Sequence, residues 1–316
     1  MAITSRPPVE DVTAAGAARP AQRARRRGVN RGWRVTPLLF LIAPVVLLLT
    51  FTYYPVASMI WYSFTSWDGI DPVKEWVGLE NYTRILTDSR YFRVFVVSAF
   101  YLVGALLQMA IALYLATILS FKTRARNLFK GIIFFPYLIN GVAIGLIFLY
   151  FFRPDGTLDA LLGLVGVEDT PMWLGDREWV NVSLAGTSVW RYLGLNFVLF
   201  LGAISSIPNE QYEAAELDGA NAWQRFRYII FPGIRQIIGL TAILSVSGAL
   251  SAFEIPFVMT GGANGSETFV IQTINTAFTF RNTGLASAMA VVLLVIVLIV
   301  SWVQRRVFPE SRSELT

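Results

Sequence analysis

Six long stretches of the 316-residue chain contain no Asp, Glu, Lys or Arg, and they constrain the fold more than any other feature. They run from Val35 to Trp67, Val94 to Phe121, Gly131 to Phe152, Tyr192 to Asn209, Gln236 to Phe253 and Asn282 to Gln304. A bilayer core of ~30 Å requires about 20 helical residues, and a helix satisfies its own backbone hydrogen bonds in lipid. Five stretches supply that length, and the fourth does so if its helix also includes Arg191 and the residues before it. The pattern predicts an all-α membrane protein with six transmembrane helices.

The chain contains neither cysteine nor histidine. Disulfides, thiol nucleophiles, imidazole bases and most zinc sites are therefore excluded. The net charge of +5 does not indicate nucleic-acid binding, because eight arginines precede the first apolar stretch in a segment rich in Pro and Ala. We expect residues 1–34 to form a disordered basic tail near anionic lipid.

Positive charges are concentrated in alternate connecting segments. Most of the 26 lysines and arginines fall in residues 1–34, 122–130, 207–235 and 305–316, whereas residues 153–178 are rich in Asp and Glu. Since Lys and Arg accumulate in cytoplasmic loops, both termini and the 207–235 loop are predicted to be cytoplasmic. The six helices would then form one transmembrane domain over residues 35–304, followed by a cytoplasmic C-terminal tail, 305–316.

The 207–235 loop contains the charged stretch YEAAELDGANAWQRFRYIIFP, from Tyr212 to Pro232, between two apolar segments. It exceeds the usual connection of about 2–8 residues between packed helices. Asn209 is a predicted N-cap, and Gly219 permits a turn that ends the new helix. Pro232 leads into the fifth span. We expect a short helix along the membrane surface, a turn at Gly219 and re-entry into the membrane.

Three motifs, at well-separated positions along the chain, resemble the membrane subunits of bacterial ABC importers. Glu213-Ala-Ala, three residues, Gly219, nine residues and IIFP is similar to the EAA loop of that family, with Phe231 where Leu is usual. WVGLENYTRIL, from Trp76, and TGG…ET…GLASAM, from Thr260 to Met289, resemble the maltose and glycerol-phosphate branch. The resemblance covers nearly the whole chain after residue 34.

The resemblance implies a type I ABC importer permease whose cytoplasmic EAA loop is a coupling helix docked in a separate ATPase subunit. The implied coupling residues are Glu213, Ala214, Ala215, Asp218, Gly219 and Pro232. Small residues permit close approach, and Glu213 provides a carboxylate for basic groups of the partner. The chain has no Gly-Lys dipeptide, and therefore no Walker A phosphate loop, so it is not expected to be an enzyme.

The same resemblance implies the partners and the location. ATP and Mg²⁺ are expected on the ATPase and no cofactor or metal on this chain. The expected partners are a second homologous permease, two ATP-binding cassette subunits, an extracytoplasmic solute-binding protein and a sugar substrate, in a bacterial inner membrane.

Polar residues at helical spacing in the fourth and fifth apolar segments predict a solute pathway. Serines and polar residues repeat every three to four positions there, Asn140 follows Pro136, and aromatic rings nearby can stack on sugars. The candidate pathway residues are Asn140, Ser188, Trp190, Arg191, Tyr192, Asn196, Ser247, Ser251, Phe253 and Glu254. Serines at this spacing equally make small-residue helix contacts. For Arg191 and Glu254, the sequence is equally consistent with a location at the membrane–water interface and with a structural pair between the two.

Other functions stay open on the sequence. An ion-coupled secondary transporter usually has inverted repeats and acids near the membrane midplane, and we find neither. A membrane enzyme without His or Cys would need carboxylates, which lie mainly in the loops. An ABC permease for an amino acid, a peptide or glycerol phosphate is the nearest competitor, because it differs mainly in the EAA variant and the outer loop.

Overall fold

The computed structural model describes residues 32–120 and 126–307, so the predicted N-terminal tail, up to residue 31, and most of the C-terminal tail lie outside the described residues. Contacts divide the chain into two units, Met1–Tyr54 and Pro55–Thr316. In the first, helix α1 (Gly32–Leu48) continues into a π turn, Leu49–Tyr53. The side chains of residues 40–54 are all exposed, as expected of an apolar helix in lipid.

The rest of the described chain is almost entirely helical. The further helices are α2 (Tyr54–Tyr62), α3 (Glu80–Thr87), α4 (Arg90–Arg93), α5 (Phe95–Ser120), α6 (Arg126–Leu138), α7 (Gly141–Phe151), α8 (Thr157–Gly163), α9 (Val180–Ser205), α10 (Asn209–Leu217), α11 (Ala222–Arg225), α12 (Phe231–Gly233), α13 (Arg235–Leu250), α14 (Glu254–Thr260), α15 (Phe269–Ile274) and α16 (Thr283–Val307). Short π turns occupy Phe226–Ile230 and Asn275–Thr279, and a 3₁₀ turn occupies Ala263–Gly265.

Five helical segments are long and apolar enough to cross a membrane: Phe40–Tyr62, Arg90–Ser120, Val180–Ser205, Arg235–Thr260 and Thr283–Arg306. The pair α6 and α7 meets the same criterion only when taken together, and it is bent by 94°. The predicted all-α membrane fold is therefore confirmed, with the bent pair in place of the third predicted span. The fourth span includes Arg191, as its length required.

Two of the predicted spans are interrupted rather than continuous. Between α6 and α7, Asn140 has an extended backbone (ψ 139°), and its side chain caps α7 by accepting from the Val142 N–H at 2.9 Å. The fifth span breaks between Leu250 and Glu254. Pro256 lacks the N–H that a continuous helix would donate to the carbonyl four residues earlier, which explains this second break. The expectation that Ser247, Ser251 and Glu254 share one helical face is therefore wrong.

The pairing of α5 with α9 forms the principal core. Ala112 and Ala116 of α5 are fully buried in one cluster with Phe197 and Phe200 of α9. Small side chains on one helix thus accommodate large ones on the other, which permits close approach of the two backbones. Ile230, after the charged loop, is fully buried in the same cluster, so the loop returns to a rigid part of the molecule.

A two-stranded antiparallel hairpin, β1 (Thr65–Ser66) with β2 (Glu75–Trp76), follows the first span. The buried Asn81 side chain donates to the carbonyls of Ser63 and Thr65 at 2.9 and 3.0 Å. The Trp67 carbonyl accepts from the Gly284 N–H at 2.9 Å. The WVGLENYTRIL motif and the Thr260–Met289 motif therefore meet here and fix the hairpin beside the start of α16.

Candidate functional site

A cavity of about 610 Å³ opens among α5, α6, α9, α13 and α14. Its polar and aromatic lining residues are Tyr101, Gln108, Tyr137, Ser188, Arg191, Tyr192, Asn196, Ser245, Ser251, Phe253 and Glu254. The remaining wall is aliphatic or glycine. Mixed hydrogen-bonding and aromatic surface of this kind is suited to a solute that presents hydroxyl groups and apolar ring faces.

Arg191 and Glu254 form an ion pair in this wall. Nη1 of Arg191 donates to Oε2 of Glu254 at 2.8 Å, and the Arg191 side chain is only 12% exposed, against 53% for Glu254. The guanidinium carbon also lies 5.0 Å from the centre of the Tyr192 ring. Glu254 reaches Arg191 because the break in the fifth span makes it the first residue of α14. A charge at this depth is costly when unpaired, so each side chain offsets the other.

Gly141, the first residue of α7, makes the ion pair possible. A Cβ atom at this position would lie 1.8 Å from Oε2 of Glu254 and 2.4 Å from Nη1 of Arg191. Such separations are far below van der Waals contact, so any side chain here would displace the pair. The two interrupted spans and α9 therefore meet at one ion pair.

The structure brings most of the predicted pathway residues to the cavity but leaves three aside. Ser188, Arg191, Tyr192, Asn196, Ser251, Phe253 and Glu254 line it, whereas Asn140, Trp190 and Ser247 do not. Asn140 instead caps α7. Trp190 is 41% exposed, and its ring packs 5.2 Å from that of Phe148. The wall on α13 is turned by one to two residues from the expected face, so Ser245 lines the cavity in place of Ser247.

Besides Ser245, three polar lining residues were missed by the sequence interpretation. Gln108 is an amide in an otherwise apolar span, and that property alone marks it. Tyr101 is 6% exposed, and its hydroxyl has no hydrogen-bond partner among the described residues. Tyr137 reaches the cavity at the end of α6, with its ring 6.2 Å from that of Tyr192. The two tyrosines resemble ordinary interfacial aromatics in the sequence, so no pattern distinguishes them.

The charged loop contains the predicted short helix and the predicted turn at Gly219, and a further short helix, α11, follows the turn. Helix α10 begins at Asn209 with Pro208 as its N-cap, so Asn209 is the first helical residue and not the predicted cap. The helix ends before Gly219, whose φ of +73° is left-handed and open to glycine with little strain. After the turn, Asn221 and Gln224 form a reciprocal capping box that starts α11. The left-handed Gly219 and the capping box that follows it therefore both stabilise the turn.

The loop exposes the predicted coupling residues and anchors itself through others. Glu213, Ala214, Asp218, Gly219 and Pro232 are exposed, and Ala215 is half-buried. Leu217 is 90% exposed and Trp223 68%, so an apolar surface accompanies the acidic one. On the opposite face, Tyr212 and Phe226 pack against the α5–α9 core. This burial raises the pKa of Tyr212 above its usual value.

No group of three or more Asp or Glu residues that could hold a metal ion occurs in the described part of the chain. Acidic side chains of the loop and of the cavity are too dispersed to share one cation.

A model of the family described as "Binding-protein-dependent transport system inner membrane component" matches residues 108–313. The chain is similar to the probable ABC transporter permease protein YurN of Bacillus subtilis, with 32% identity over 89% of this chain and 98% of YurN. It is 30% identical to the multiple sugar-binding transport system permease protein MsmF of Streptococcus mutans, over 88% of this chain and 96% of that protein.

A solved structure shares the fold. The crystal structure of a bacterial ABC transporter involved in the import of the acidic polysaccharide alginate matches with a TM-score of 0.73 over 88% of this chain and 96% of that chain. The sequence identity is 23%, so this likeness concerns the fold alone.

Proposed function

Because the chain belongs to the family of binding-protein-dependent transport system inner membrane components, we propose that it forms part of the pathway by which an ATP-driven importer carries a sugar or oligosaccharide. The observation that carries this proposal is the coexistence of a polar, aromatic cavity and an exposed acidic helix-turn loop in one membrane chain. A sugar is supported by the similarity to MsmF, a multiple sugar-binding transport system permease protein, and by the hydroxyl, amide and aromatic groups of the cavity.

The energy for transport comes from a separate ATPase in this proposal. Helix α10 and the Gly219 turn dock in that subunit, with Glu213 and Asp218 facing its basic groups and Leu217 and Trp223 supplying apolar contact. Closure of the ATPase pair on ATP moves the docked loop, and the anchored core transmits the motion to the spans. ATP and Mg²⁺ are bound by the ATPase, and this chain needs no cofactor.

The orientation of the chain follows from its charge distribution. The excess of Lys and Arg in the alternate segments that include the 207–235 loop supports cytoplasmic termini and a cytoplasmic loop. The proposed domain boundaries, 35–304 with tails on either side, follow from the limits of the first and last charge-free stretches. A second permease completes the cavity, and an extracytoplasmic binding protein delivers the solute to its outer side.

An ABC permease for glycerol phosphate, an amino acid or a peptide is the second candidate. It is favoured by the presence of Arg191 in the cavity wall, since a guanidinium binds phosphate and carboxylate groups well.

Uptake into proteoliposomes tests the proposal. The chain is reconstituted with its partner permease, ATPases and binding protein, and the uptake of labelled neutral oligosaccharides is measured with and without ATP and a proton ionophore. Uptake that requires ATP and the ATPase, and that persists with the ionophore, is expected. Uptake without the ATPase would overturn the ATP-driven mechanism, and uptake of amino acids or peptides but no sugar would overturn the substrate class.

A further inference from the structure

The cavity wall contributed by this chain carries no net charge. Among the described residues that line it, Arg191 and Glu254 are the only charged ones, and they are paired at 2.8 Å. The other polar groups are hydroxyls and amides, from residues such as Gln108, Ser188 and Asn196. A neutral solute therefore meets a balanced surface here.

An anionic solute would bind less favourably at this wall than a neutral one. Its carboxylate or phosphate would need a cation, and the guanidinium of Arg191 already donates to Glu254. Insertion of a second anion would place two negative groups beside one guanidinium, and their mutual repulsion would weaken binding of the anion. Glu254 thus acts as a built-in competitor for any acidic group on the solute.

The structure holds Glu254 in this competing position. Its location at the start of α14 follows from the break before Pro256, and Gly141 leaves room for its carboxylate beside Arg191. On the other side of the pair, the Tyr192 ring faces the guanidinium. Nε of Arg191 is buried and has no hydrogen-bond partner among the described residues. Once Glu254 is neutralised, the positive charge of the guanidinium is no longer balanced, and a new anion can pair with it.

Building on the proposed sugar-import function, we propose that Glu254 is a specificity-determining residue that selects uncharged sugars by occupying the guanidinium of Arg191. The acidic sugars and phosphorylated polyols carried by other transporters of this fold are rejected at this point. The buried Tyr101 hydroxyl, also without a partner in the described chain, provides a hydrogen bond suited to a sugar hydroxyl.

Binding to the assembled transporter in nanodiscs, without the solute-binding protein, tests this selectivity directly. The two probes are α-1,4-linked galactotriose and trigalacturonate, which differ in the oxidation of C6. Wild-type protein should bind trigalacturonate more weakly than galactotriose, and Glu254→Gln should raise trigalacturonate affinity about tenfold. The double variant Arg191→Gln with Glu254→Gln should lose that gain, because the guanidinium is then absent.

Controls separate charge selection from general damage. Glu168→Gln removes an exposed carboxylate outside the cavity and should leave trigalacturonate affinity unchanged. Copurification of the ATPases reports assembly, and Glu254→Ala serves as a second carboxylate-free variant if Glu254→Gln assembles poorly. Preferential binding of trigalacturonate by the wild type, or no gain in either carboxylate-free variant, would overturn the inference. Failure of sugar import itself would instead appear as absence of ATP-dependent uptake of every neutral sugar by the wild type.

Discussion

The 207–235 loop and the cavity wall both contain charged residues, but the carboxylates of the loop are exposed and unpaired within the described chain, whereas the charges of the cavity wall are paired. In the loop, the carboxylates of Glu213, Glu216 and Asp218 are exposed and have no ion-pair partner among the described residues. In the cavity wall, the carboxylate of Glu254 is held by Arg191 at 2.8 Å. The loop leaves its charges available for another molecule, whereas the cavity neutralises its charges within the chain.

The surroundings account for this difference. A solvated carboxylate costs little when unpaired, and it gains energy only when a basic partner approaches. A charge in the cavity wall costs more to leave unpaired, and this applies most to Arg191, whose side chain is only 12% exposed, and less to Glu254, at 53%. We therefore expect substitutions in the loop to affect coupling to the ATPase and substitutions at the pair to affect the solute.

The largest effect is expected from Gly219→Pro. Proline fixes φ near −65°, whereas the turn requires +73°, and it removes the N–H that donates to the Glu216 carbonyl at 3.1 Å. ATP-dependent uptake in proteoliposomes should fall to background while the spans still fold. Gly202→Ala, at a helical position where a Cβ would meet no atom, is the matched control and should retain uptake. Full uptake by the Gly219→Pro variant would show that transport does not depend on the Gly219 turn.

Arg191→Ala should reduce uptake by about tenfold without loss of ATPase assembly. Removal of the guanidinium leaves Glu254 unpaired, but that carboxylate is 53% exposed and therefore tolerates the change. Uptake and copurification of the ATPases are measured on the same preparation. Unchanged uptake would reduce Arg191 to a structural role, and lost assembly would show that the two regions are not separable.

Gly141→Ala should have a smaller effect on uptake, of several-fold, together with a loss of stability. The added methyl group overlaps the ion pair, and overpacking of this kind typically costs about 1–3 kcal/mol. Thermal unfolding of the purified transporter measures the loss. Gly186→Ala adds the same methyl group where no atom lies within 4 Å, and its melting temperature should match the wild type. Equal melting temperatures for both variants would contradict the close approach at Gly141.

The smallest effect is expected from the ion pair Asp88–Arg90, which lies outside both the loop and the cavity wall. The Arg90 side chain holds the pKa of Asp88 at about 2, below the ordinary value of 3.8. Because the folded-state pKa is lowered, the stabilisation is present above pH ~4 and is lost as the pH falls toward 2. Asp88→Asn should not measurably shift the melting temperature at pH 7, since both groups are solvated. A clear shift would show that exposed ion pairs matter as much as the cavity pair.

The sequence predicted the membrane segments and the loop better than the details of the cavity. Charge-free length predicts helices in lipid, and glycine permits the left-handed turn that ends a helix, so the membrane segments, α10 and the turn at Gly219 could be predicted. The break before Glu254 could have been predicted from Pro256, which prevents a continuous hydrogen-bond ladder. The choice of Ser245 over Ser247 could not, because periodicity identifies residues on a common face but not the face that meets the cavity. The pairing of Arg191 with Glu254 depends on that break, so it stayed one of several alternatives.

The proposed coupling requires that the 207–235 loop, and not the opposite end of the spans, contacts the ATPase. The natural chain contains no cysteine, so a single introduced thiol reports one position. Ala214→Cys, on exposed α10, and Ala160→Cys, on exposed α8, are compared by thiol cross-linking in the assembled transporter. If the loop docks on the ATPase, the Ala214→Cys variant gives a cross-linked product with the ATPase and the Ala160→Cys variant gives none. A product from the Ala160→Cys variant, or none from the Ala214→Cys variant, would contradict it.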